Sequence, residues 1–314
     1  MPNISHKIRL GAVSYLNTKP LIYRLSELAP QAELVLDVPS RLADDLATGK
    51  LDVALIPSIE YFQDASYTIV SDACIACRGP VLSVKLFSRV PVEKIGTLAL
   101  DEGSRTSVAL VRILLKQQFG LAPRLEPLSL GSSVGDSAAD AVLVIGDRAM
   151  HSPGGPFAAV WDLGDEWRRW AELPFVFAMW VARPGVEFDE LADLLAQARD
   201  VGLANLAEIA AVEAAPLGLS HPQCVAYLRD NLYFYLGPRE RAGLERFRQL
   251  AQELDHEIGG ARSAKASTFA DGSPGPCGRH PEHKTTEEAR AFADGSSGPC
   301  GRPPAHKATE GAAW

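Results

Sequence analysis

Four short segments hold the residues best able to do chemistry. Ser14-Tyr15-Leu16-Asn17-Thr18, Pro57-Ser58, Ser104-Arg105-Thr106-Ser107 and Gly146-Asp147-Arg148 each follow an apolar, strand-like run. In an open α/β sheet, ligands settle beyond the carboxyl ends of the strands. The first and third segments lead on into helical stretches. A helix start leaves backbone N–H groups free and adds the positive end of the helix dipole, so such a turn is an anion site. Asn17 or Thr18 is placed to cap the first helix, and Ser104 and Thr106 the second. Two such sites suit a ligand with two anionic groups, and Arg105 offers a charge-assisted hydrogen bond. The same residues would serve equally as plain N-caps, with Arg105 a solvated first-turn residue. Asp147 has the chemistry of an acid, a base or a ligand-orienting group, or of one more cap. Ser58 carries the same two meanings. Ser83 sits inside the strand-like run Val81–Phe87, and its local pattern does not distinguish it from a structural serine.

Other catalytic patterns are weak. Cys74-Ile75-Ala76-Cys77 is formally a C-x-x-C, but it lies in a predicted strand. A spacing of three puts the two thiols on opposite faces of a sheet, so they read as small apolar fillers. Cys277, Cys300, His283 and His306 have a zinc-compatible composition, but their placement follows a repeat of 23 residues and is explained by duplication. The histidines ahead of the repeat region, His6, His151, His221 and His256, do not sit beside a candidate nucleophile, and no triad is visible. There is no G-x-x-x-x-G-K-[ST] and no G-x-G-x-x-G, so nucleotide binding has no support. Neither a metal nor a nucleotide therefore has support from these motifs.

The elements that must position these residues alternate. Strands are predicted at Ile8–Val13, Leu34–Val38, Leu51–Ile56, Ile95–Leu100, Ala141–Ile145 and Pro174–Val181. Thr68–Ala76 and Val81–Phe87 read as an antiparallel pair around Arg78-Gly79-Pro80. Helices are predicted over about Thr18–Leu28, from a Ser40 cap to Gly49, over Thr106–Phe119 with Gly120 as C′, and over Trp161–Trp170. Glu187–Ala214, Pro222–Asn231 and Pro238–Ile258 complete a helical C-terminal part. Strand–helix alternation in two units, with crossings near Phe87–Lys94 and Phe177–Arg183, gives an α/β protein of two lobes with a cleft between them. The expected division is residues 1–90 with 180–260 as a discontinuous first lobe and 91–179 as the second. Residues 261–314 form a third region, rich in Gly, Pro and Ser and built on the repeat Phe269–Arg279 and Phe292–Arg302. Such a composition cannot bury enough apolar surface to order itself, so it is expected to be disordered.

The chain has 314 residues and a net charge of −8, with no basic cluster, which disfavours nucleic acid as a partner. No apolar run approaches the roughly 18 residues of a membrane span. The first residues carry no apolar signal core and five cysteines make no disulfide framework. Both fit a reducing cytoplasm.

Seven segments taken in order resemble one family. They are Arg9–Leu21, Asp52–Tyr61, Gly79–Ser83, Gly103–Val108, Leu143–Asp147, Asp162–Trp167 and Leu173–Ala178. Together they are similar to the chorismate dehydratases of the futalosine route to menaquinone. The resemblance spans roughly residues 7 to 258. It implies a fold like the type II periplasmic binding proteins, working in the cytoplasm as a lyase that converts chorismate to 3-[(1-carboxyvinyl)oxy]benzoate without a cofactor. Chorismate is a small dicarboxylate, which suits two anion sites. The resemblance carries Asn17 and Ser83 over as carboxylate contacts and catalytic residues. It carries Ser104, Arg105, Thr106 and Ser107 over at the second helix start, and the strand-end positions of Ser14, Tyr15, Ser58, Gly146 and Asp147 make these the remaining expected substrate-binding residues. A related enzyme of the same route has a His where Gly146-Asp147 stands here, and that departure argues for the dehydratase. It also leaves no obvious protein base, so the enolpyruvyl carboxylate of the substrate is the expected proton acceptor. The competing class is a solute receptor or sensor on the same fold, since fold alone does not fix function.

Overall fold

A computed structural model describes residues 7–269. The chain opens with β1 (Ile8–Val13), a short 3₁₀ helix (Leu16–Ile22) and one helical turn, α1 (Leu25–Leu28). The single helix expected over Thr18–Leu28 is therefore broken. Pro20 lies inside its first half, and Arg24 takes a left-handed conformation (φ 53°) that no continuous helix allows. Then follow β2 (Ala32–Asp37), α2 (Pro39–Ala47), β3 (Val53–Pro57), α3 (Ser58–Tyr61) and β4 (Thr68–Cys77). The cap of α2 is Val38 with Pro39 in the first turn, and not Ser40. Proline fits there because its missing N–H is one the helix leaves unpaired anyway. The Ser40 amide instead donates to the Gly103 carbonyl at 3.3 Å.

The next strands are β5 (Val84–Ser88), β6 (Thr97–Asp101), then α4 (Arg105–Phe119), β7 (Arg124–Leu128), β8 (Ala141–Ile145), β9 (Ala159–Asp162), α5 (Leu163–Ala171) and β10 (Phe175–Ala182). The C-terminal part holds α6 (Asp189–Ala204), α7 (Leu206–Glu213), α8 (His221–Ala226), a π-helical turn (Tyr227–Asn231), β11 (Tyr233–Tyr235) and α9 (Pro238–Phe269). Gly120 closes α4 with φ 68°, as its sequence position predicts. The helix expected from Trp161 starts two residues later. Trp161 instead extends the edge strand β9, and Asp162 caps α5 by accepting the Gly164 and Asp165 amides at 3.0 and 3.2 Å.

Two sheets result. One runs β11-β4-β10-β3-β1-β2 and the other β7-β6-β8-β5-β9. β1 pairs in parallel with β2 and β3, and β6 with β7 and β8; β4, β5, β9, β10 and β11 make the antiparallel contacts. The expected hairpin of β4 with β5 is not formed. β4 pairs with β10 and β11, and β5 pairs with β8 and β9 in the other sheet. Arg78-Gly79-Pro80 is thus a crossing between sheets, about ten residues before the expected one. The return crossing lies between α5 and β10, so all of β10 belongs to the first sheet.

β3, β8 and nearly all of β10 are buried along their length, as central strands covered on both faces must be. Cys74 and Cys77 are buried in β4 among this apolar core. Asp52 fastens three stretches of the first sheet. It accepts from the Arg9 amide at 2.9 Å, from Arg9 Nη2 at 2.8 Å and from Arg183 Nη2 at 2.6 Å. These bonds, Arg9 first, hold its carboxyl far below the usual carboxylate range. α9 runs past the composition change at Gly259-Gly260 as far as Phe269. The repeat and its Cys277, Cys300, His283 and His306 lie outside the described residues, apart from the first residue of the repeat.

Candidate functional site

The carboxyl ends of β1, β3, β6 and β8 meet at a hollow between the two sheets. It is narrow, with a cavity volume of about 50 Å³. Val13, Pro39, Pro57, Ile75, Phe177 and Ala178 line it from one side, and Val81, Val84 and Ile145 from the other. The polar wall consists of Tyr15, Asn17, Ser83, Ser104, Thr106, Ser107 and Gly146. Seven of the residues singled out in the sequence therefore line one hollow, although they come from four separate segments.

Each has a local reason for its place. Ser104 caps α4 by accepting the Ser107 amide at 3.2 Å. Thr106 accepts the Ile59 amide at 3.2 Å, so it caps the turn after β3 and joins the two halves of the molecule. Its hydroxyl lies 3.4 Å from that of Ser58. Gly146 has φ 75° and ψ −162°, a region open essentially to glycine alone. A β-carbon there would sit 2.8 Å from Tyr15 Cζ, so the Tyr15 ring packs directly against Gly146. Burial, helped by the nearby Asp101 carboxylate, pushes the Tyr15 phenol up to about 12, so it stays protonated and is no base at neutral pH. Asn17 accepts a bond from the Thr18 hydroxyl at 3.3 Å, which leaves its amide N–H groups turned elsewhere.

Four other expected site residues lie apart from the lining. Ser14 is exposed and donates its amide to Asp37. Ser58 is fully buried and its hydroxyl donates to the Val176 carbonyl at 2.8 Å. Arg105 turns away from the hollow toward two carboxylates, Asp44 at 2.7 Å and Glu60 at 3.1 Å. Asp147 accepts the Leu16 amide at 3.0 Å. Neither Asn17 nor Thr18 caps the first helical turn; Asp147, from the far side of the hollow, meets its leading amide. Burial raises the Asp147 carboxyl above the usual range, against the pull of that amide.

The hollow has no charged side chain in its lining. In place of the expected local Arg or Lys the lining offers hydroxyls, one carboxamide and backbone N–H groups, donors of the kind that can hold an anion by directed hydrogen bonds. Two supporting carboxylates escaped the sequence reading. Asp101, almost fully buried, accepts the Gly103 amide at 2.9 Å and the Ile145 amide at 3.1 Å, and pairs with Arg148. Asp162 accepts the Val81 amide at 2.9 Å and the Leu82 amide at 2.6 Å besides capping α5. An acid ending a strand is the only local signal for either, and it is shared with ordinary caps. Among the described residues no group of three or more His, Cys, Asp or Glu is placed to hold a metal ion, and no helix is long and apolar enough to cross a membrane.

Two α/β lobes around a hollow at their strand ends define the periplasmic-binding-protein-like class. Solved structures agree on the fold. A protein from Archaeoglobus fulgidus superimposes with a TM-score of 0.60 at 16% identity, over 81% of this chain and 99% of that one. The periplasmic aliphatic sulphonate binding protein SsuA from Escherichia coli gives 0.55 at 16% identity, over 81% of this chain and 87% of the other. Within that class the chain belongs to the menaquinone biosynthesis family, whose pattern matches residues 8–253. A curated relative, the chorismate dehydratase of Thermus thermophilus, is 34% identical over 256 residues, 76% of this chain and 93% of the relative.

Proposed function

We infer that this protein dehydrates chorismate to 3-[(1-carboxyvinyl)oxy]benzoate, in the futalosine route of menaquinone biosynthesis, in the cytoplasm and without metal or organic cofactor. The observation that carries the reading is the character of the hollow: many neutral donors, apolar walls and no ionised side chain in its lining. A dicarboxylate with an apolar ring matches that surface in chemical character. Asn17 and Ser83 contact one carboxylate. The Ser104–Ser107 turn, with the free amides of α4, receives the other. Tyr15 and Gly146 close one end of the site.

The ring C–H at the carbon bearing the enolpyruvyl ether is acidified through conjugation with the ring carboxylate. The protein offers no ionised base there, so the enolpyruvyl carboxylate of the substrate accepts that proton. The electron pair left behind spreads over the ring and its carboxylate. Hydroxide departs from the neighbouring carbon, takes up a proton to leave as water, and the ring becomes aromatic. The work of the protein is to orient the two carboxylates and to stabilise the charge that grows on one of them.

Incubation of the purified protein with chorismate should give a product lighter by one water. Asn17→Asp tests the site: it is nearly isosteric but sets a negative charge beside an anion. Loss of a hydrogen bond to a charged group costs about 1.5–3 kcal/mol, so kcat/KM should fall at least about tenfold. Tight chorismate binding without turnover by the wild type would favour a receptor instead.

A further inference from the structure

Ser83 is held at the wall of the hollow by a turn gripped from three directions. The Ser83 amide donates to the Val81 carbonyl at 2.7 Å, closing a γ-turn with Leu82 at φ 60°. Asp162 takes the Val81 and Leu82 amides. The Gly146 amide donates to the Ser83 carbonyl at 2.9 Å, and Asn231 Nδ2 donates to the Pro80 carbonyl at 2.9 Å. A non-glycine residue in the left-handed region is kept only where its surroundings impose it. The Ser83 hydroxyl itself has just one partner, the Val81 carbonyl at 3.4 Å. That exceeds the usual O–H···O range of about 2.5–3.0 Å, so its proton is not committed.

Tyr227 stands beside it. The residue is 2% exposed, and its phenol oxygen has no hydrogen-bond partner. The Ser83 hydroxyl is close enough to influence it without forming a hydrogen bond of normal geometry, and Asp147, Asp162 and Cys224 are the ionisable groups around it. Burial keeps the phenol protonated, so it retains a proton to donate toward Ser83 at neutral pH. Tyr227 also begins the π-helical turn that ends at Asn231, the residue gripping Pro80. Such turns are rare and recur at functional sites. A buried phenol without a partner destabilises the free protein, and a phenylalanine would avoid that cost.

We propose that Tyr227 is a positioning residue for Ser83: when substrate binds, its O–H, unpaired in the free protein, donates to Ser83 Oγ, which turns the Ser83 proton into the hollow to meet a carboxylate oxygen of the substrate. The proposal rests on the reading of the hollow as a dicarboxylate site. With one lone pair of Ser83 engaged by the phenol, the serine rotor is biased to aim its proton at the anion. The chain from Tyr227 through Ser83 to the carboxylate strengthens each of its bonds.

The test is Tyr227→Phe in the full chain, alone and combined with Ser83→Ala, with melting temperature and chorismate kinetics measured for all four proteins. Tyr227→Phe should melt at or above the wild-type temperature, yet lose about fivefold in kcat/KM. In the Ser83→Ala background the same change should have no further effect on kcat/KM. Equal losses in both backgrounds, or a fall in melting temperature that tracks the loss of turnover, would make Tyr227 structural and overturn the proposal. Wild-type turnover with an unimpaired Tyr227→Phe enzyme overturns it too, and leaves the dehydratase reading standing. A wild type that does not dehydrate chorismate removes that reading, and the proposal with it.

Discussion

Two strand-to-helix junctions border the hollow from opposite sheets, and they satisfy their leading amides in different ways. After β6, Ser104 takes the Ser107 amide three residues on, and α4 continues for 15 residues. After β1, the helical turn Leu16–Ile22 has no side-chain cap of its own, and its leading amide is met by Asp147, 131 residues away. The first cap is local, so it forms whenever α4 forms. The second exists only when the two sheets are together. One wall of the site is therefore built by its own segment, and the other is built by closure of the molecule.

The sharpest way to break this comparison is at Gly146, which joins the second wall to the first. Gly146→Ala places a methyl group 2.8 Å from the Tyr15 ring and forces alanine into a glycine-only conformation. Strain and overpacking together should cost about 3 kcal/mol, read from urea unfolding, with turnover falling in step as Tyr15 is displaced. A variant as stable as the wild type would mean that the Tyr15 ring does not bind the two halves together. Ser104→Ala addresses the local cap and should cost about 1 kcal/mol, a fall of about 2–4 °C in melting temperature. Ser104→Gly should cost only a few tenths of a kcal/mol, because the freed amide then reaches water. If alanine and glycine behave alike, Ser104 is not acting as a cap.

The same contrast explains what was legible in the sequence. α4 could be read from Ser104 to Gly120 because both of its ends are defined by residues within a few positions of the helix. β8 was legible because five apolar residues in a row have few other destinies in such a fold. The first helical segment was misread because Arg24 in a left-handed conformation leaves no mark in composition. The pairing of β4 and β5 was misread because proximity along the chain suggests a hairpin, while partner choice is settled by strands roughly 60 and 100 residues further on. In the site, hydroxyl and amide residues at strand ends were visible as types. The direction of a side chain was not: Arg105 sits in the right segment but turns to Asp44 and Glu60. Tyr227 left no signal, since a tyrosine in an apolar stretch reads as core.

The smallest expected effect concerns Asp147, and its direction with pH is what matters. Burial raises this carboxyl above its ordinary value, while the Leu16 amide, Lys19 and His151 oppose the rise and Glu213 adds to it. In the unfolded chain the group ionises near pH 4, before the folded group does. Between those two values the folded state holds more protons, so its stability declines as pH rises and then levels once the folded carboxyl has ionised. Asp147→Asn keeps an oxygen for the Leu16 amide and has nothing to ionise. At neutral pH it should lie within about 1 kcal/mol of the wild type, on the stable side, because the desolvated charge is gone and the hydrogen bond remains. Melting curves from pH 4 to 8 should show the wild type losing ground to the variant over the lower part of that range and running parallel to it above. A wild type that instead gains stability over the variant as pH rises would mean that the Leu16 bond to the ionised carboxylate outweighs burial, and the long-range cap would then be the stronger of the two.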